Sequence, residues 1–414
     1  MSRWVRLVAA VVAMIQIANL QYAWTLFVQP LRDANGWSLS EVQWGLTVFI
    51  ALETWAMPPG GLLIDRFSKR MMMSLAGVMC AIGWAGIGWT TTIWQMYALY
   101  ALAGFGAAIV YCGSIGVALK WFPDRRGFAA GIIAAGFGSG SALFIPFLRY
   151  MLQNWGHQTT FLVTGLIQGT LIVIAAQFIS GEGAPAPVVT PAAAVNDSVR
   201  RQHQEFTPGE MLHTMQFYWL YAMMLMMGIG GLLATAQVAP VGKSFGLSGN
   251  IVALSVTINS ICNGAGRFFW GMVSDRIGRE LTMVIAFLIQ SASLVGVMAL
   301  GPNNGTLFVI MMALVFFTWG EVYVLFPSAL ADFFGARNAG SKYSFLYSTK
   351  GVASIIAGGL AATLFESSGS WGPAFYGSAA LALVSTGMAL GLMKLPLPSK
   401  KDLPATSATA VVHQ

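Results

Sequence analysis

The chain has 414 residues, of which 56% are hydrophobic and only 9% are charged, with a formal net charge of +7 at pH 7. Soluble domains carry roughly 25% charged residues, so this composition excludes a soluble protein with a large core. The positive charge does not indicate nucleic-acid binding, because the basic residues lie in the loops between long apolar stretches.

Apolar stretches of about twenty residues recur along the whole chain, which is typical of transmembrane helices. A bilayer offers no water to lone backbone groups, so each span should be helical, and the short alternating segments of an outer-membrane barrel are missing. We predict an all-α integral membrane protein with twelve spans. Their approximate bounds are 6–28, 41–63, 72–91, 94–118, 127–150, 158–179, 217–239, 250–273, 281–300, 306–330, 341–364 and 372–395.

The loops also predict the orientation. The first apolar stretch follows Arg3 and Arg6, has full spanning length and lacks a small-residue cleavage site, so no cleavable signal peptide is expected. A cytoplasmic N-terminus leaves only Arg32, Arg149 and Lys243 outside among the basic loop residues. The positive-inside rule therefore predicts a multi-pass protein of the inner (cytoplasmic) membrane with both termini in the cytoplasm.

The three cysteines, Cys80, Cys112 and Cys262, all fall within apolar spans and have no CxxC spacing. We interpret them as packing residues, which suggests neither a disulfide nor a metal site. No cofactor is predicted, and no ATP-binding motif appears.

The sequence repeats itself. The stretch GLLIDRFSKR (61–70) aligns with GMVSDRIGRE (271–280), and QPLRDANGWS (29–38) aligns with APVGKSFGLS (239–248). Two copies of a six-helix unit are the economical interpretation, joined by a segment rich in Pro, Ala and charge, which is typical of a flexible linker. The predicted divisions are an N-terminal half (1–180), a cytoplasmic linker (181–215), a C-terminal half (216–395) and a cytoplasmic tail (396–414).

Two six-helix halves, a central linker and the motif GxxxDR followed by basic residues, as GxxxDRxxKR in the first half and GxxxDRxxRE in the second, resemble the major facilitator superfamily. That resemblance implies alternating access, in which the halves rock around a site at the middle of the membrane. We interpret the motif charges as structural and gating groups that hold the halves together in one state. They are Asp65, Arg66 and Arg70 in the first copy, and Asp275, Arg276 and Arg279 in the second.

Four charged residues lie inside predicted spans: Glu53 in span 2, Arg267 in span 8, Glu321 in span 10 and Lys350 in span 11. Charges within spans cost at least roughly 2.5–3.5 kcal/mol on insertion scales, so they are rare and are usually functional. Each alone could be a structural ion pair or a snorkelling residue. Two cations in one half, however, both indicate a negatively charged substrate. Arg offers a planar fork for a carboxylate, and Lys offers a point charge.

Aromatic residues of the predicted cavity-forming spans strengthen this hypothesis. Tyr111 and Tyr323 are the best candidates, because they occupy nearly equivalent positions in the two repeats. A cage of aromatic hydroxyls and two cations would desolvate and orient a small anion. The other candidates are Tyr22, Trp24, Trp319 and Tyr347, each of which could equally face lipid or the packed interior.

Five stretches resemble the oxalate/formate antiporter family: LQYAWTLFVQPL (20–31), YCGSIGVALKWFPDRRGFAAG (111–131), NGAGRFFWGMVSDRIGR (263–279), FFTWGEVYVLFPS (316–328) and KGVASIIAGG (350–359). The resemblance implies that Arg267 and Lys350 bind carboxylates. It also implies an aromatic lining from Tyr22, Tyr111, Trp319 and Tyr323, with weaker roles for Asn263 and Gln43.

The sequence departs from that family at Glu53 and Glu321, where the family's pattern has an uncharged residue and a glycine. If all four groups are ionised, the charge within the membrane is about zero, which weakens the case for a dianion such as oxalate. We therefore predict transport of a monocarboxylate or a small dicarboxylate, by exchange or, alternatively, by proton symport through Glu53 or Glu321. The glutamates could instead form pairs with Lys350 or Arg267 that merely tune the site.

Two other classes are less well supported. An intramembrane enzyme is disfavoured, because GFGSGSALF (136–144) lacks the GxSxG register and no histidine lies within a span. A non-transporting sensor would normally carry a soluble output domain, and none is evident. We expect a monomer that needs no partner beyond the lipid bilayer, small carboxylates and, in the symport alternative, a proton.

Overall fold

The computed structural model describes residues 2–122, 126–179, 204–302, 304–335 and 339–400. Within these ranges the chain forms helices and no β-strand, as the composition predicts. The α-helices are α1 (Arg3–Tyr22), α2 (Trp24–Asn35), α3 (Leu39–Trp55), α4 (Met57–Arg66), α5 (Lys69–Ile87), α6 (Ile93–Trp121), α7 (Arg126–Ser139), α8 (Ile145–Ile179), α9 (Pro208–Met211), α10 (Met215–Ser244), α11 (Gly249–Ile277), α12 (Arg279–Leu300), α13 (Gly305–Trp319), α14 (Val322–Phe334), α15 (Ala339–Ile355), α16 (Ala361–Ser368) and α17 (Gly372–Lys394).

Nine helical stretches in the described part of the chain are long and apolar enough to cross a membrane. One of them, Gly131–Ile179, covers two predicted spans and contains a non-helical residue, Gly156, with φ of +75°. The predicted spans 41–63 and 250–273 are helical, as α3 with α4 and as α11, but they are not among the nine. The fold is thus that of a multi-pass α-helical protein, and the count of twelve spans stays a prediction.

Local structure is the same at the start of α3 and α11, which the predicted repeat relates to one another. Gly36 and Gly246 both adopt φ of +71°, the left-handed conformation that glycine reaches without a Cβ penalty. Two residues later, Ser38 and Ser248 are the N-caps of α3 and α11, and the Ser38 and Ser248 hydroxyls accept hydrogen bonds from the backbone N–H of Glu41 and Ile251. The same turn chemistry therefore begins the corresponding helix in each half.

The predicted N-terminal and C-terminal halves, called the halves below, meet along pairs of helices that the predicted repeat relates to one another. Helix α3 packs against α15, and α7 packs against α11. Small residues allow the close approach: a Cβ added to Gly264 would lie 2.7 Å from the Ser139 Cβ, and one added to Gly358 would lie 2.3 Å from the Thr47 Oγ1. The interface between the halves is thus closely packed at these points.

Five predicted spans are interrupted, where the sequence predicts continuous helices. The span 41–63 breaks at Ala56, between α3 and α4, and the span 127–150 breaks between Ser139 at the end of α7 and Ile145 at the start of α8. The span 6–28 breaks at Ala23, between α1 and α2, and the span 306–330 breaks at Gly320 and Glu321, between α13 and α14. The span 341–364 contains a π-helical turn, Ile356–Leu360, between α15 and α16. Interrupted helices free backbone groups and create room for ligands, and transporters commonly use them for this purpose.

Candidate functional site

Arg267 lies on α11 at the contact between the halves, and only 3% of its surface is exposed. Its Nη1 donates a hydrogen bond of 2.8 Å to the backbone oxygen of Ala134 on α7, and its Nη2 donates one of 3.1 Å to the Asn263 Oδ1. Its guanidinium lies 4.6 Å from the centre of the Tyr323 ring. Both hydrogen-bond acceptors are neutral, so they orient the guanidinium without cancelling its charge.

Two glycines make room for this arginine. A Cβ added to Gly138 would lie 2.7 Å from the Asn263 Oδ1 and 3.0 Å from the Arg267 Nε. A Cβ added to Gly320 would lie 2.5 Å from the backbone oxygen of Asn263. The guanidinium therefore sits in a space that the absence of two side chains keeps open, and its Nε is buried without a hydrogen-bond partner among the described residues.

Lys350 lies on α15, is also 3% exposed, and has a very different environment. Its Nζ lies 2.8 Å from the Oε2 of Glu53, a residue of α3 that is fully buried. It also donates hydrogen bonds of 2.9 Å to the Gln21 Oε1 on α1 and of 3.4 Å to the Tyr347 hydroxyl. Glu53 thus lies at ion-pair distance from Lys350, and the pair joins α3 of one half to α15 of the other.

An aromatic cage surrounds the two cations and is built from both halves. Its centre is Phe137, whose ring centre lies 5.3 Å from the Lys350 Nζ and 5.8 Å from the Arg267 guanidinium carbon. Phe137 makes edge contacts with Tyr22 and Tyr111, at centroid distances of 5.6 and 5.7 Å.

The remaining cage residues form a continuous ring of contacts. Trp319 lies 6.1 Å from Tyr22 and 5.6 Å from Tyr323, measured between ring centres. Tyr347 lies 5.9 Å from Tyr111 and 5.9 Å from Tyr323, so it bridges the two tyrosines that the repeat relates. The structure therefore brings together six of the eight residues predicted to bind substrate: Arg267, Lys350, Tyr22, Tyr111, Trp319 and Tyr323.

Asn263 and Gln43 differ in how they relate to this cage. Asn263 holds the Arg267 guanidinium and donates a 3.4 Å hydrogen bond to the backbone oxygen of Phe316, so it positions the cation. Gln43 hydrogen-bonds neither cation within the described ranges. Its amide donates instead to the backbone oxygen of Ala236 at 2.7 Å and to the Gln237 Oε1 at 3.1 Å, which joins α3 to α10 across the halves.

Glu321 is buried in the break between α13 and α14, and neither of its carboxyl oxygens has a hydrogen-bond partner among the described residues. Its backbone oxygen accepts hydrogen bonds from the N–H groups of Val324 and Leu325, at 2.9 and 2.8 Å, which begins α14. An isolated carboxylate in an apolar environment is costly and tends to become neutral. Glu321 thus forms no ion pair with Arg267 or Lys350, unlike Glu53.

The motif residues lie apart from the cage. Arg279 donates hydrogen bonds to the Ser274 hydroxyl and to Asp275, both at 2.6 Å, and to Asp332 at 3.1 Å, all within the C-terminal half. Arg70 donates to the Gln177 side chain in the N-terminal half. The bonds of these two arginines thus link elements inside a half rather than across the interface. Arg66 and Arg276 are exposed, and the side chain of Asp65 lies outside the described residues.

Sequence reasoning missed two residues of the cage. Phe137 was hidden in a glycine-rich stretch that indicates helix packing, although its position between two small residues, Gly136 and Gly138, marks a place where helices approach closely. Gln21 was overlooked because a buried glutamine carries no charge signal, yet it is the neighbour of Tyr22 in the chain. Tyr347 was recognised as an aromatic of span 11, but nothing in the sequence indicated its central place.

Comparisons with known proteins agree with this architecture. A profile of the Major Facilitator Superfamily matches residues 9–248 and 218–412. The chain is 37% identical over 420 residues to the oxalate:formate antiporter of Oxalobacter formigenes. The alignment covers 100% of this chain and 97% of that protein. It is 22% identical over 379 residues to apicoplast pyruvate carrier 1 of Toxoplasma gondii, covering 77% and 68% of the two chains. It is also 26% identical over 248 residues to human monocarboxylate transporter 11, covering 58% and 49%.

Proposed function

The chain belongs to the Major Facilitator Superfamily, and from that premise we propose that it is a secondary transporter that exchanges small organic carboxylates across a membrane by alternating access. One observation carries the proposal: the guanidinium of Arg267 is buried between the halves, against an aromatic ring, with only neutral hydrogen-bond acceptors. A carboxylate of the substrate supplies the missing negative charge.

The charges of the cage favour a particular class of substrate. Because Lys350 and Glu53 neutralise one another, Arg267 is the one cation of the cage that no carboxylate balances among the described residues. A monocarboxylate such as formate, lactate or pyruvate matches this single charge. A dicarboxylate such as oxalate or succinate would place its second carboxylate at Lys350 and displace Glu53 from the Nζ.

The same imbalance explains why transport would be exchange. An empty, closed cage buries an unpaired positive charge, which costs several kcal/mol, whereas a cage closed around an anion does not. Closure and reopening toward the other side are therefore favoured with substrate bound. A carrier that returns only when loaded exchanges one carboxylate for another.

Proton symport is the second candidate, and the buried, unpartnered carboxyl of Glu321 supports it. If the Glu321 carboxyl releases its proton when the site opens to water and takes up a proton before the site closes, proton movement is coupled to the conformational cycle. Glu321→Gln would fix the neutral form. Proton-coupled uptake that survives this substitution would exclude a proton role for Glu321, while loss of the pH-gradient effect with intact exchange would support one.

For the cell, we propose an inner-membrane location with both termini in the cytoplasm, because that orientation leaves few basic loop residues outside. The chain is proposed to act as a monomer and to catalyse no chemical reaction. The same prediction places Arg32, Arg149 and Lys243 on the outer face.

Counterflow in proteoliposomes tests the proposal. Vesicles loaded with unlabelled oxalate, formate, lactate, pyruvate or succinate are offered the same acid in labelled form, with and without a pH gradient. We expect accumulation without a gradient for at least one acid and its loss in Arg267→Gln. Lys394→Gln, which removes an exposed charge at the end of α17, is the matched control and should exchange normally. Uptake that requires the gradient would favour symport, and equal exchange in Arg267→Gln would contradict the assigned site.

A further inference from the structure

A cavity lies between the halves, at the face of the molecule where α2 ends and α11 begins. Its volume is about 640 Å³, and we call it the vestibule. Residues of α2, α3, α8, α10, α11 and α16 line it, so both halves contribute. The chain enters and leaves the helical bundle at the opposite face, at Arg3 and after Lys394.

The vestibule is distinct from the aromatic cage. Ala253 lines the vestibule and Arg267 belongs to the cage, and both lie on α11. Fourteen residues separate them, which is about 21 Å at 1.5 Å per residue. On the other side, Thr25 lines the vestibule only three residues after Tyr22 of the cage, and its hydroxyl accepts a 3.0 Å hydrogen bond from the Ala239 N–H. That contact joins the halves between the two spaces.

Three cations from three helices line the vestibule: Arg32 of α2, Arg149 of α8 and Lys243 of α10. No Asp or Glu is among its lining residues. None of the three cations forms an ion pair with the described residues. These are also the three basic residues that the loop pattern assigns to the outer face, so the cations of that face are gathered in one cavity.

The local environments show that these charges are not compensated. The Nε of Arg32 is buried without a hydrogen-bond partner among the described residues. The guanidinium of Arg149 donates to the side-chain oxygen of Asn250, a neutral acceptor. A Cβ added to Gly249 would lie 3.9 Å from the Arg149 Nη2, which places this cation beside the positive N-terminal end of α11, an unfavourable position for a lone positive charge.

The carboxylates that are close in sequence to the lining residues Arg32, Leu39 and Phe365 are engaged elsewhere. Asp33 accepts a hydrogen bond from the Gln29 side chain. Glu366 accepts one of 3.1 Å from the Ser40 N–H, and Glu41 accepts one of 2.8 Å from the Ser38 N–H. Three like charges around one cavity repel one another, and a bound anion would relieve that repulsion.

We propose that the vestibule is a second anion site, which binds small carboxylates at this face of the molecule before they reach the cage. The three cations attract the anion, and the helix N-terminus of α11 with its Ser248 cap adds backbone donors. A positively lined cleft raises the local concentration of an anion and its association rate. That the captured anion is the transported one rests on the proposed function, whereas the binding itself does not.

Binding can be measured apart from transport. We would record the broadening of the ¹³C-oxalate resonance by purified Arg267→Gln protein, in which the cage lacks its unpaired cation, at roughly 0.01 M ionic strength, where the Debye length is about 30 Å. We expect broadening that added salt reduces, and its loss when Arg32, Arg149 and Lys243 are all replaced by Gln. Lys394→Gln in the same background is the matched control and should keep the broadening.

Two results of this binding experiment would contradict the proposal. Absence of broadening in Arg267→Gln, or equal broadening after the three substitutions, would overturn the vestibule site. Lys243 is exposed, so Lys243→Gln and Lys243→Glu can be tested without risk to the fold, and the broadening should fall in that order even if the triple variant does not fold.

Transport provides the second measurement. In an Arg267-containing protein, replacing the three cations should raise the apparent KM for the external anion by about three- to tenfold at low salt and should leave the maximal rate nearly intact. The difference should vanish at about 0.15 M salt, where charges are screened within about 8 Å. An unchanged KM with unchanged salt dependence would contradict the role in delivery. Equal exchange in Arg267→Gln would instead contradict the cage as the transport site, and the absence of exchange in the wild type would sink the proposed function; both results would leave the binding result standing.

Discussion

Arg267 and Lys350 are two buried cations of the C-terminal half, equally hidden from solvent, and their partners differ. Lys350 has a carboxylate of the other half at 2.8 Å, whereas Arg267 has only a backbone oxygen and an amide oxygen. Burial alone therefore does not tell a substrate-binding charge from a structural one. The difference lies in which charge the protein itself leaves unbalanced, and three substitutions can break or sharpen the contrast.

The largest effect is expected for Glu53→Gln. Removing one member of a buried ion pair leaves Lys350 charged and alone, which costs about 3–5 kcal/mol of stability. The melting temperature of the purified protein, followed by tryptophan fluorescence, should fall markedly. In the double variant Glu53→Gln/Lys350→Met most of the loss should be recovered, because no lone charge remains. Lys400→Gln is the control. Its ion pair with Glu210 lies at the surface, where such pairs contribute about 0–1 kcal/mol.

That prediction also has a clear contrary result. If Glu53→Gln and the double variant melt at the same temperature, then the Lys350 charge is not stabilised by Glu53. The distinction between a balanced and an unbalanced cation would then disappear.

A smaller effect is expected for Gly138→Ala. The added methyl would lie 2.7 Å from the Asn263 Oδ1 and 3.0 Å from the Arg267 Nε, and overpacking of this kind costs about 1–3 kcal/mol. Because the guanidinium must shift, the KM for exchange should rise more than the melting temperature falls. Gly131→Ala, on the same helix with nothing within 4 Å of its Cβ position, should change neither. A Gly138→Ala protein with wild-type KM would show that the position of Arg267 is not critical.

The smallest effect concerns the ring beneath Arg267. Tyr323→Leu removes an aromatic face 4.6 Å from the guanidinium carbon, and such contacts contribute about 0.5–2 kcal/mol. We expect substrate affinity to fall by a factor on the order of ten, since 1.4 kcal/mol corresponds to tenfold. Tyr323→Phe keeps the ring and should bind nearly normally. Equal losses in the two variants would point to the hydroxyl rather than to the ring.

Much of this architecture could be predicted from the sequence because it depends on composition and on repeated local signals. The all-α membrane fold follows from hydropathy, and the repeat follows from Gly36 with Gly246 and Ser38 with Ser248, which the structure shows in the same conformations. The rarity of charge within the membrane was enough to single out Arg267 and Lys350.

What the sequence could not supply is the pairing of groups from distant parts of the chain. Glu53 and Lys350 are 297 residues apart, and either glutamate could have been the partner of either cation. The breaks at Ala23 and Gly320 were also missed, because small residues are compatible with a continuous helix and tertiary packing decides where the helix is interrupted. Phe137 was missed for a similar reason, since a phenylalanine in an apolar span is indistinguishable from a packing residue until its neighbours are known.

The central claim is that Arg267 is the charge partner of the transported carboxylate. Its most direct test is equilibrium binding of the best-exchanged labelled acid to purified wild-type, Arg267→Lys and Arg267→Gln protein, with Lys394→Gln as the control. We expect Arg267→Lys to bind weakly, because the charge remains and the planar fork is lost, and Arg267→Gln to lose affinity by about 100-fold, which corresponds to roughly 3 kcal/mol. Wild-type affinity in Arg267→Gln would mean that the carboxylate binds elsewhere, and that the unbalanced charge of Arg267 is structural.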